Sequence, residues 1–210
     1  MTEGSAKKSA LRAAHLGPEK RRPQVLDAAL AIAIESGAAR VSIDAIAKRM
    51  GVTRPVVYAC FPSREALLDA LLSREERKLL QGVLAALPST PPIFKPERLV
   101  IHGFQALLRV VLENTGAWEL VFSPVPDPSV SARFGVAREK VQARVALLMK
   151  PALVAAGVKD IQRKLPVLVE LFMSVGDAAV RSQVKYGHQW TPDELGAFVG
   201  RLVFATLRTA

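Results

Sequence analysis

The sequence predicts an all-α protein in which a small N-terminal domain of three helices precedes a larger helical domain. Apolar residues recur at helical spacing along almost the whole chain. Strict alternation of apolar and polar residues is scarce, and the chain has no Asn-Gly hairpin turn. Half of the 210 residues are hydrophobic, which is enough for a sizeable core in either one or two domains.

The N-terminus is predicted to be a basic arm followed by a first helix. Residues 1–18 are small, polar and basic. Apolar residues at helical spacing then predict a helix over Pro23–Ser36, which Gly37 ends. The arm, together with Arg21 and Arg22, is expected to add salt-dependent affinity for a polyanion. The alternative is that the arm only increases solubility.

The second and third helices are short and are joined by a tight turn. Ser42 is a good N-cap residue, and the apolar residues after it keep to one helical face until Gly51. Thr53 is the next N-cap residue, which places Pro55 in the first turn of the third helix. Proline is tolerated there because first-turn N–H groups have no intrahelical partner. Such a pair is the helix-turn-helix arrangement, in which the second helix enters the DNA major groove.

A longer helix over residues 63–82 is predicted to connect the helix-turn-helix domain, residues 19–65, with a second domain, residues 66–210. Ser63 is its N-cap residue, and the Pro-rich stretch LPSTPPIFKPE ends the helical pattern. Five further helices are predicted: Glu97–Asn114, a short helix with Trp118 and Phe122, Ser129–Ala156 with a kink at Pro151, Pro166–Tyr186 and Pro192–Thr209.

The charge distribution favours a nucleic acid as partner. The net charge is +10, and residues 1–64 carry 11 Lys and Arg against 5 Asp and Glu. A basic excess suits either DNA or a membrane surface, and its concentration around the helix-turn-helix favours DNA. No apolar run is long enough to span a membrane, and the N-terminus lacks the apolar segment of a signal peptide. We therefore expect a cytoplasmic protein that associates with the nucleoid through DNA.

Signals for catalysis and metal binding are poor. Three scattered histidines, and no CxxC, P-loop or GxGxxG motif, predict neither a metal site nor a cofactor. Cys60 is the only cysteine, which excludes an intrachain disulfide and fits a reducing compartment. It is expected to be a small buried hydrophobic residue and not a redox sensor. The prediction is a protein that is not an enzyme; an enzyme with an appended DNA-binding domain is the less favoured alternative.

An ordered series of motifs occupies residues 22–72: VLDAALAIAIESG, SIDAIAKRMGV, VVY and SREALL. Each motif alone is weak, but the series closely resembles the DNA-binding domain of TetR-family transcriptional regulators. The resemblance covers only the first third of the chain. The rest matches that family in length and helicity alone.

The third helix supplies the predicted base contacts. Arg54 is expected to read guanine through a bidentate contact, and the alternative is that it is only a solvated surface charge. Pro55, Val56 and Ala59 are expected to touch thymine methyl groups. Thr53 is expected to cap the helix, to contact the DNA backbone, or to do both.

Phosphate contacts are expected around this helix. In the family that the sequence resembles, the Tyr of the VVY motif and the basic residue that opens the fourth helix bind phosphates. The matching positions are Tyr58 and Arg64. Ser42 is a further candidate, because free N–H groups at a helix N-terminus attract phosphate. Asp44 either contributes to specificity or only complements the helix dipole.

For the second domain, the resemblance implies a small-molecule effector and a homodimer that binds palindromic half-sites, with the last two helices pairing in a four-helix bundle. Those helices have enough apolar residues for both a core and a dimer interface. The sequence does not show which of these residues face the core and which face the partner. Glu170, Ser174, Asp177 and Arg181 form a stripe that is a solvated face, a dimer contact or the polar anchor of a pocket. The predicted pocket residues, which alternatively only fill the core, are Phe104, Trp118, Phe122, Met149, Phe172 and Met173.

The sequence thus predicts a homodimeric, ligand-responsive DNA-binding transcriptional regulator, and more specifically a repressor that a small, largely apolar effector releases from its operator. The alternative is a DNA-binding protein whose second domain only dimerises and has no effector. Loss of DNA affinity on addition of a ligand separates the two.

Overall fold

The computed structural model describes residues 17–88, 96–122 and 128–207. Within these residues every regular element is a helix, so the predicted all-α class is confirmed. The predicted arm, except for its last two residues, lies outside the described residues. The helices are α1 Pro18–Ser36, a short 3₁₀-helix Ala38–Arg40, α2 Ile43–Met50, α3 Arg54–Tyr58, α4 Arg64–Ala86, α5 Pro96–Glu113, α6 Thr115–Val121, α7 Pro128–Ala155, α8 Ile161–Tyr186 and α9 Pro192–Leu207.

The chain divides into two compact units between Arg74 and Glu75, at a point inside α4. This helix begins as predicted, where Ser63 Oγ accepts a hydrogen bond from the N–H of Ala66 at 3.1 Å. It continues to Ala86, beyond the predicted end at residue 82. The functional domains assigned to residues 19–65 and 66–210 stay predictions.

The core of the N-terminal unit draws on each of its helices. Val25 of α1, Ile46 of α2, Val57 of α3 and Leu67 of α4 are fully buried. Burying one such side chain contributes about 1.5–3 kcal/mol. The short helices α2 and α3 are therefore held by packing and not by their own helix propensity.

The first helix begins at Pro18 and not at the predicted Pro23, which lies inside α1. A proline inside a helix removes one backbone hydrogen bond and costs about 3 kcal/mol. Contacts of the turn before it offset this cost. Arg21 is buried, and Arg22 Nη1 donates a hydrogen bond to the carbonyl of Cys60 at 2.8 Å.

In the C-terminal unit, α5 and α9 pack with their backbones in close contact. A Cβ added to Gly196 would lie 2.6 Å from Gln105 Cα, and one added to Gly200 would lie 2.6 Å from Ile101 Cα. Gln105 Nε2 also donates a hydrogen bond to the carbonyl of Asp193 at 3.1 Å. The buried core residues from this helix pair are Phe104, Leu108, Val111, Leu195, Val199 and Val203.

One further predicted boundary needs correction. α8 begins at Ile161, so Pro166 lies inside it and does not start it. α7 runs through Pro151 to Ala155, close to the predicted Ser129–Ala156, and the kink at Pro151 stays a prediction. The predicted last residue of α9, Thr209, lies outside the described residues.

Candidate functional site

The turn between α2 and α3 depends on one glycine. Gly51 has φ 65° and ψ 32°, in the left-handed region that glycine adopts without a steric penalty. Its N–H donates to the carbonyls of Ala47 and Lys48, which ends α2 at once. At the other end of α2, Ser42 Oγ accepts a hydrogen bond from the N–H of Ala45 at 3.1 Å. Ser42 thus caps α2 as predicted, and its phosphate contact stays a prediction.

α3 has one buried and one exposed face. Val57 is fully buried, and Phe61, just beyond the helix, is 1% exposed, as the helical spacing predicts. Tyr58 is 51% exposed, which leaves a large aromatic side chain available to a partner. The other predicted DNA-contacting residues of this segment are the exposed Thr53, Arg54, Pro55 and Ala59 and the half-buried Val56.

Thr53 shows only part of its predicted behaviour. It occupies the N-cap position of α3 with an extended backbone, φ −86° and ψ 154°. Among the described residues, however, its side chain makes no capping hydrogen bond. The capping role is therefore not seen, and the predicted contact with the DNA backbone remains.

Asp44 and Arg54 form an ion pair across the helix-turn-helix. Arg54 Nε and Nη2 face the two carboxylate oxygens of Asp44. The two side chains are 66% and 57% exposed, so the pair adds little to stability. Its consequence is positional, because it holds the guanidinium of Arg54 at the exposed edge of α3.

Arg64 is tied to the segment that precedes α2. Its Nε donates to the carbonyl of Val41 at 2.7 Å, and its Nη2 donates to those of Ala38 and Ala39, each at 3.3 Å. The guanidinium therefore closes the loop before Ser42. The three carbonyls take up Nε and Nη2 of Arg64. If Arg64 also contacts a phosphate, as predicted, it must do so through its remaining N–H groups.

Sequence analysis missed the role of Arg22. Beyond its hydrogen bond to Cys60, its guanidinium carbon lies 4.4 Å from the ring centroid of Phe61. Cys60 itself is buried, and burial raises the pKa of its thiol, as expected for a small hydrophobic residue. Arg22 thus stabilises the segment after α3 by contacting the carbonyl of Cys60 and the ring of Phe61. Both contacts join residues that are far apart in the sequence.

A large cavity lies within the C-terminal unit. Its volume is about 1030 Å³, and its lining is mostly apolar, as is usual for small-molecule sites. All six residues predicted for an effector pocket line it, although that position alone does not test binding. These are Phe104, Trp118, Phe122, Met149, Phe172 and Met173.

The wall of the cavity includes an ion cluster. Arg138 Nη2 lies 3.1 Å from Glu170 Oε1 and 3.2 Å from Asp177 Oδ2. The pKa of Arg138 is raised, and the largest cause is its hydrogen bond to Glu170. Of the predicted polar stripe, Asp177 lines the cavity, and Arg181 lies over the ring of Phe122. Part of the stripe therefore belongs to the pocket wall.

An apolar face of α8 and α9 is exposed. Val167, Leu171 and Val175 recur every fourth residue on α8 and are 59%, 53% and 37% exposed. Phe198 and Leu202 of α9 are 45% and 54% exposed. The structure thus divides the apolar residues of these helices. The apolar residues of these helices that are buried in the core are Leu168, Leu195, Val199 and Val203.

A comparison with protein families identifies the N-terminal unit. Residues 25–71 match the family model described as "Bacterial regulatory proteins, tetR family". Residues 25–71 therefore form a TetR-family DNA-binding domain. The matched segment runs from α1 to α4 and includes the whole helix-turn-helix, so the resemblance noted in the sequence is confirmed.

Other TetR-type regulators are similar over part of the chain. The transcriptional activator FasR of Mycolicibacterium smegmatis is 32% identical over 130 residues, which are 61% of this chain and 58% of that protein. The transcriptional repressor KstR of Rhodococcus jostii is 34% identical over 86 residues, 37% of this chain and 41% of that protein. The chain thus spans only about half of the length of these relatives.

The solved structure of a TetR-like transcriptional regulator from Rhodococcus sp. RHA1 has the same fold. Its TM-score is 0.70 at 18% identity, and the match covers 91% of this chain and 97% of that one. At this identity the likeness shows the fold alone. The similar proteins named by function are transcriptional regulators and not enzymes.

The described residues contain neither a cluster of metal ligands nor a helix that could span a membrane. Across residues 17–88, 96–122 and 128–207, no three His, Cys, Asp or Glu side chains come together as metal ligands would. In the same ranges, none of the helices combines the length and the apolar character that crossing a membrane requires.

Proposed function

We propose that the protein is a homodimeric transcriptional regulator whose affinity for its operator falls when a small, largely apolar effector enters the cavity. One observation carries this proposal: the chain that presents an exposed helix-turn-helix also has an apolar cavity of about 1030 Å³ in its other unit. A DNA-binding domain has no use for such a cavity. The cavity would act by binding the effector more tightly in one arrangement of the dimer than in another.

The exposed apolar face supports the homodimer. One short helix reads few base pairs, so two copies on palindromic half-sites give the affinity and specificity that one copy lacks. A symmetric dimer needs one self-complementary surface. The face formed by Val167, Leu171, Val175, Phe198 and Leu202 is apolar and exposed on two long helices, and exposed apolar patches of this kind mark interaction sites.

Repression is the proposed sign of regulation. An effector that lowers operator affinity removes the protein from DNA, which is the behaviour of a repressor released by its ligand. The named relatives include one activator and one repressor, so the sign must be measured on the gene that this protein controls. We place the protein in the cytoplasm, bound to the nucleoid through DNA.

Fluorescence anisotropy tests the DNA-binding half of the proposal. The full chain is titrated into the labelled intergenic DNA upstream of its own gene and into a scrambled duplex, at two salt concentrations. We expect tighter binding to the native duplex by about 10³-fold or more, as for specific sites in general. Equal binding to both duplexes, with a steep salt dependence, would contradict a specific operator at that locus.

The second candidate function is a DNA-binding protein whose C-terminal unit only dimerises. It is favoured by the exposed apolar face and has no use for the cavity. Adding apolar compounds to the preformed DNA complex separates the two functions. A fall in anisotropy in the presence of one of them supports the effector, and unchanged DNA affinity with a compound bound in the cavity supports the second candidate.

A further inference from the structure

The cavity of the C-terminal unit is elongated and follows α7. Its lining residues on this helix extend at helical spacing from Val130 to Leu153, a distance of about 35 Å at the rise of an α-helix. On α8 the lining extends from Lys164 to Val180. A compact ligand would occupy only part of such a channel, whereas an extended chain could lie along it.

The charges on the channel wall are distributed unevenly. Arg138, in the part near the start of α7, is paired with two carboxylates, Glu170 and Asp177, so this cluster carries one negative charge in excess. Lys159 and Lys164 line the opposite end, where α7 has ended and α8 begins. Lys159 is exposed and makes no ion pair with any residue that the structure describes. This end of the lining therefore carries the positive charge of Lys159, which no described carboxylate compensates.

Three glycines give the channel room towards its other end. Gly103, Gly135 and Gly176 all line it, and a Cβ added to any of them would meet no described atom within 4 Å. Gly135 lies early in α7, and Gly176 lies twelve positions beyond Lys164 in the sequence of α8, about 18 Å along the helix axis. A ligand that starts at the lysines must be long to reach Gly176.

We propose that the channel binds a long, unbranched hydrocarbon chain with an anionic head group. The head lies beside Lys159 and Lys164, and the chain runs along α7 towards Gly176. This assignment rests on the proposed function, because it names the chemical class of the effector for the same cavity. Apolar contact along the chain supplies most of the affinity, and the lysines set the orientation.

Intrinsic fluorescence provides a direct binding assay. The chain has two tryptophans, of which Trp118 lines the channel and Trp190 does not. The Trp190→Phe protein therefore reports from Trp118 alone. Octanoate, dodecanoate and hexadecanoate are titrated below their micelle concentrations, with dodecanol as the neutral probe and dodecyl phosphate as a second anionic head.

The expected affinities follow from burial and charge. Affinity should rise by about twofold to fourfold for each added methylene. Dodecanoate and dodecyl phosphate should both bind more tightly than dodecanol, by about twofold to fivefold for one partly exposed charge contact. Equal affinity for dodecanol and the two anions would overturn the anionic head group.

Two variants test the orientation. Gly176→Leu places a side chain in the channel far from the lysines, so it should weaken hexadecanoate by tenfold or more and leave octanoate unchanged. Lys159→Gln should weaken all the carboxylates by about twofold to fivefold and leave dodecanol unchanged. Lys140→Gln is the matched control, because Lys140 is exposed on α7 and is not in the lining. An equal loss for all chain lengths in Gly176→Leu would overturn the assignment.

The outcomes separate this inference from the proposed function. If a compact apolar dye binds and lowers DNA affinity while affinity for the carboxylates does not depend on chain length, the proposed function stands and the inference is wrong. If neither the dye nor any chain compound changes the fluorescence of Trp118, the effector site fails, and the inference fails with it. Circular dichroism of each variant confirms that it is folded.

Discussion

Asp44, in the first turn of α2, holds the guanidinium of Arg54, in the first turn of α3, in an exposed ion pair. The same guanidinium is the candidate reader of guanine. On DNA it must therefore either turn from the carboxylate to the base or bind both. In the free protein the carboxylate also neutralises the charge that would attract phosphates without regard to sequence.

Arg54→Ala should reduce affinity for the specific duplex by about 10–100-fold, because one bidentate base contact is worth about 1–3 kcal/mol of discrimination. Binding to the scrambled duplex should change far less. Arg77→Ala, which removes the same charge from an exposed position on α4, is the control. Anisotropy with both duplexes measures the effect. A similar loss on the two duplexes would show that Arg54 contributes only charge.

Asp44→Asn should raise affinity for the scrambled duplex and lower the preference for the specific one. The substitution keeps the shape of the side chain and frees the charge of Arg54. The specific-to-scrambled affinity ratio is the quantity to measure, at two salt concentrations. An unchanged ratio would leave Asp44 with only its interaction with the helix dipole.

Arg64→Lys should destabilise the N-terminal unit, although the charge is kept. A lysine ammonium cannot reproduce the geometry by which Arg64 reaches the three carbonyls of Ala38, Ala39 and Val41. We expect a loss of about 1–3 kcal/mol, the usual cost of leaving hydrogen-bonding groups, here backbone carbonyls, without their donor. Urea unfolding measures it. Wild-type stability with reduced DNA affinity would instead favour a direct phosphate contact.

Gly200→Ala should destabilise the C-terminal unit by about 1–3 kcal/mol, the typical cost of overpacking. The new methyl group would lie 2.6 Å from Ile101 Cα, and neither backbone can move without separating α5 from α9. Gly135→Ala is the matched control, since its Cβ would meet no described atom within 4 Å. The control should be neutral or more stable, because alanine favours helix by about 1 kcal/mol. Equal thermal stability of the two variants would contradict the close packing.

Leu171→Glu should convert the proposed dimer into a folded monomer. The side chain is 53% exposed in the single chain, so the substitution leaves the core intact but would bury a charge in the interface. Light scattering after size-exclusion chromatography gives the mass. Leu147→Glu is the control, because Leu147 is 66% exposed on α7, a helix that contributes no residue to the proposed interface. A dimer that tolerates Leu171→Glu but not Leu147→Glu would place the interface elsewhere.

Much of the fold can be predicted from local signals. Ser42, Gly51 and Ser63 mark helix ends because their side chains or backbone act on neighbouring residues. Pro23 and Pro166 mislead for the same reason: a proline suggests a helix start locally, while contacts from distant residues decide whether the helix extends beyond it. Arg22 shows this, since its hydrogen bond to Cys60 joins residues 38 positions apart.

The candidate sites divide in the same way. The exposed face of α3 follows from helical spacing once Val57 and Phe61 are placed inside. The roles of Arg64 and Asp44 do not follow, because their partners come from other elements. The six pocket residues are predicted because they are large or adaptable apolar residues, and only the fold shows that they share one channel with the glycines and Lys159.

The close contact at Gly196 and Gly200 means that α5 and α9 move together as one rigid body. Because no side chain separates the two backbones there, the helices cannot slide past each other without a clash. α5 lines the channel through Phe104, and α9 carries Phe198 on the exposed apolar face. A displacement of α5 by a molecule in the channel would therefore reach that face as a rigid-body movement, transmitted by two residues without side chains.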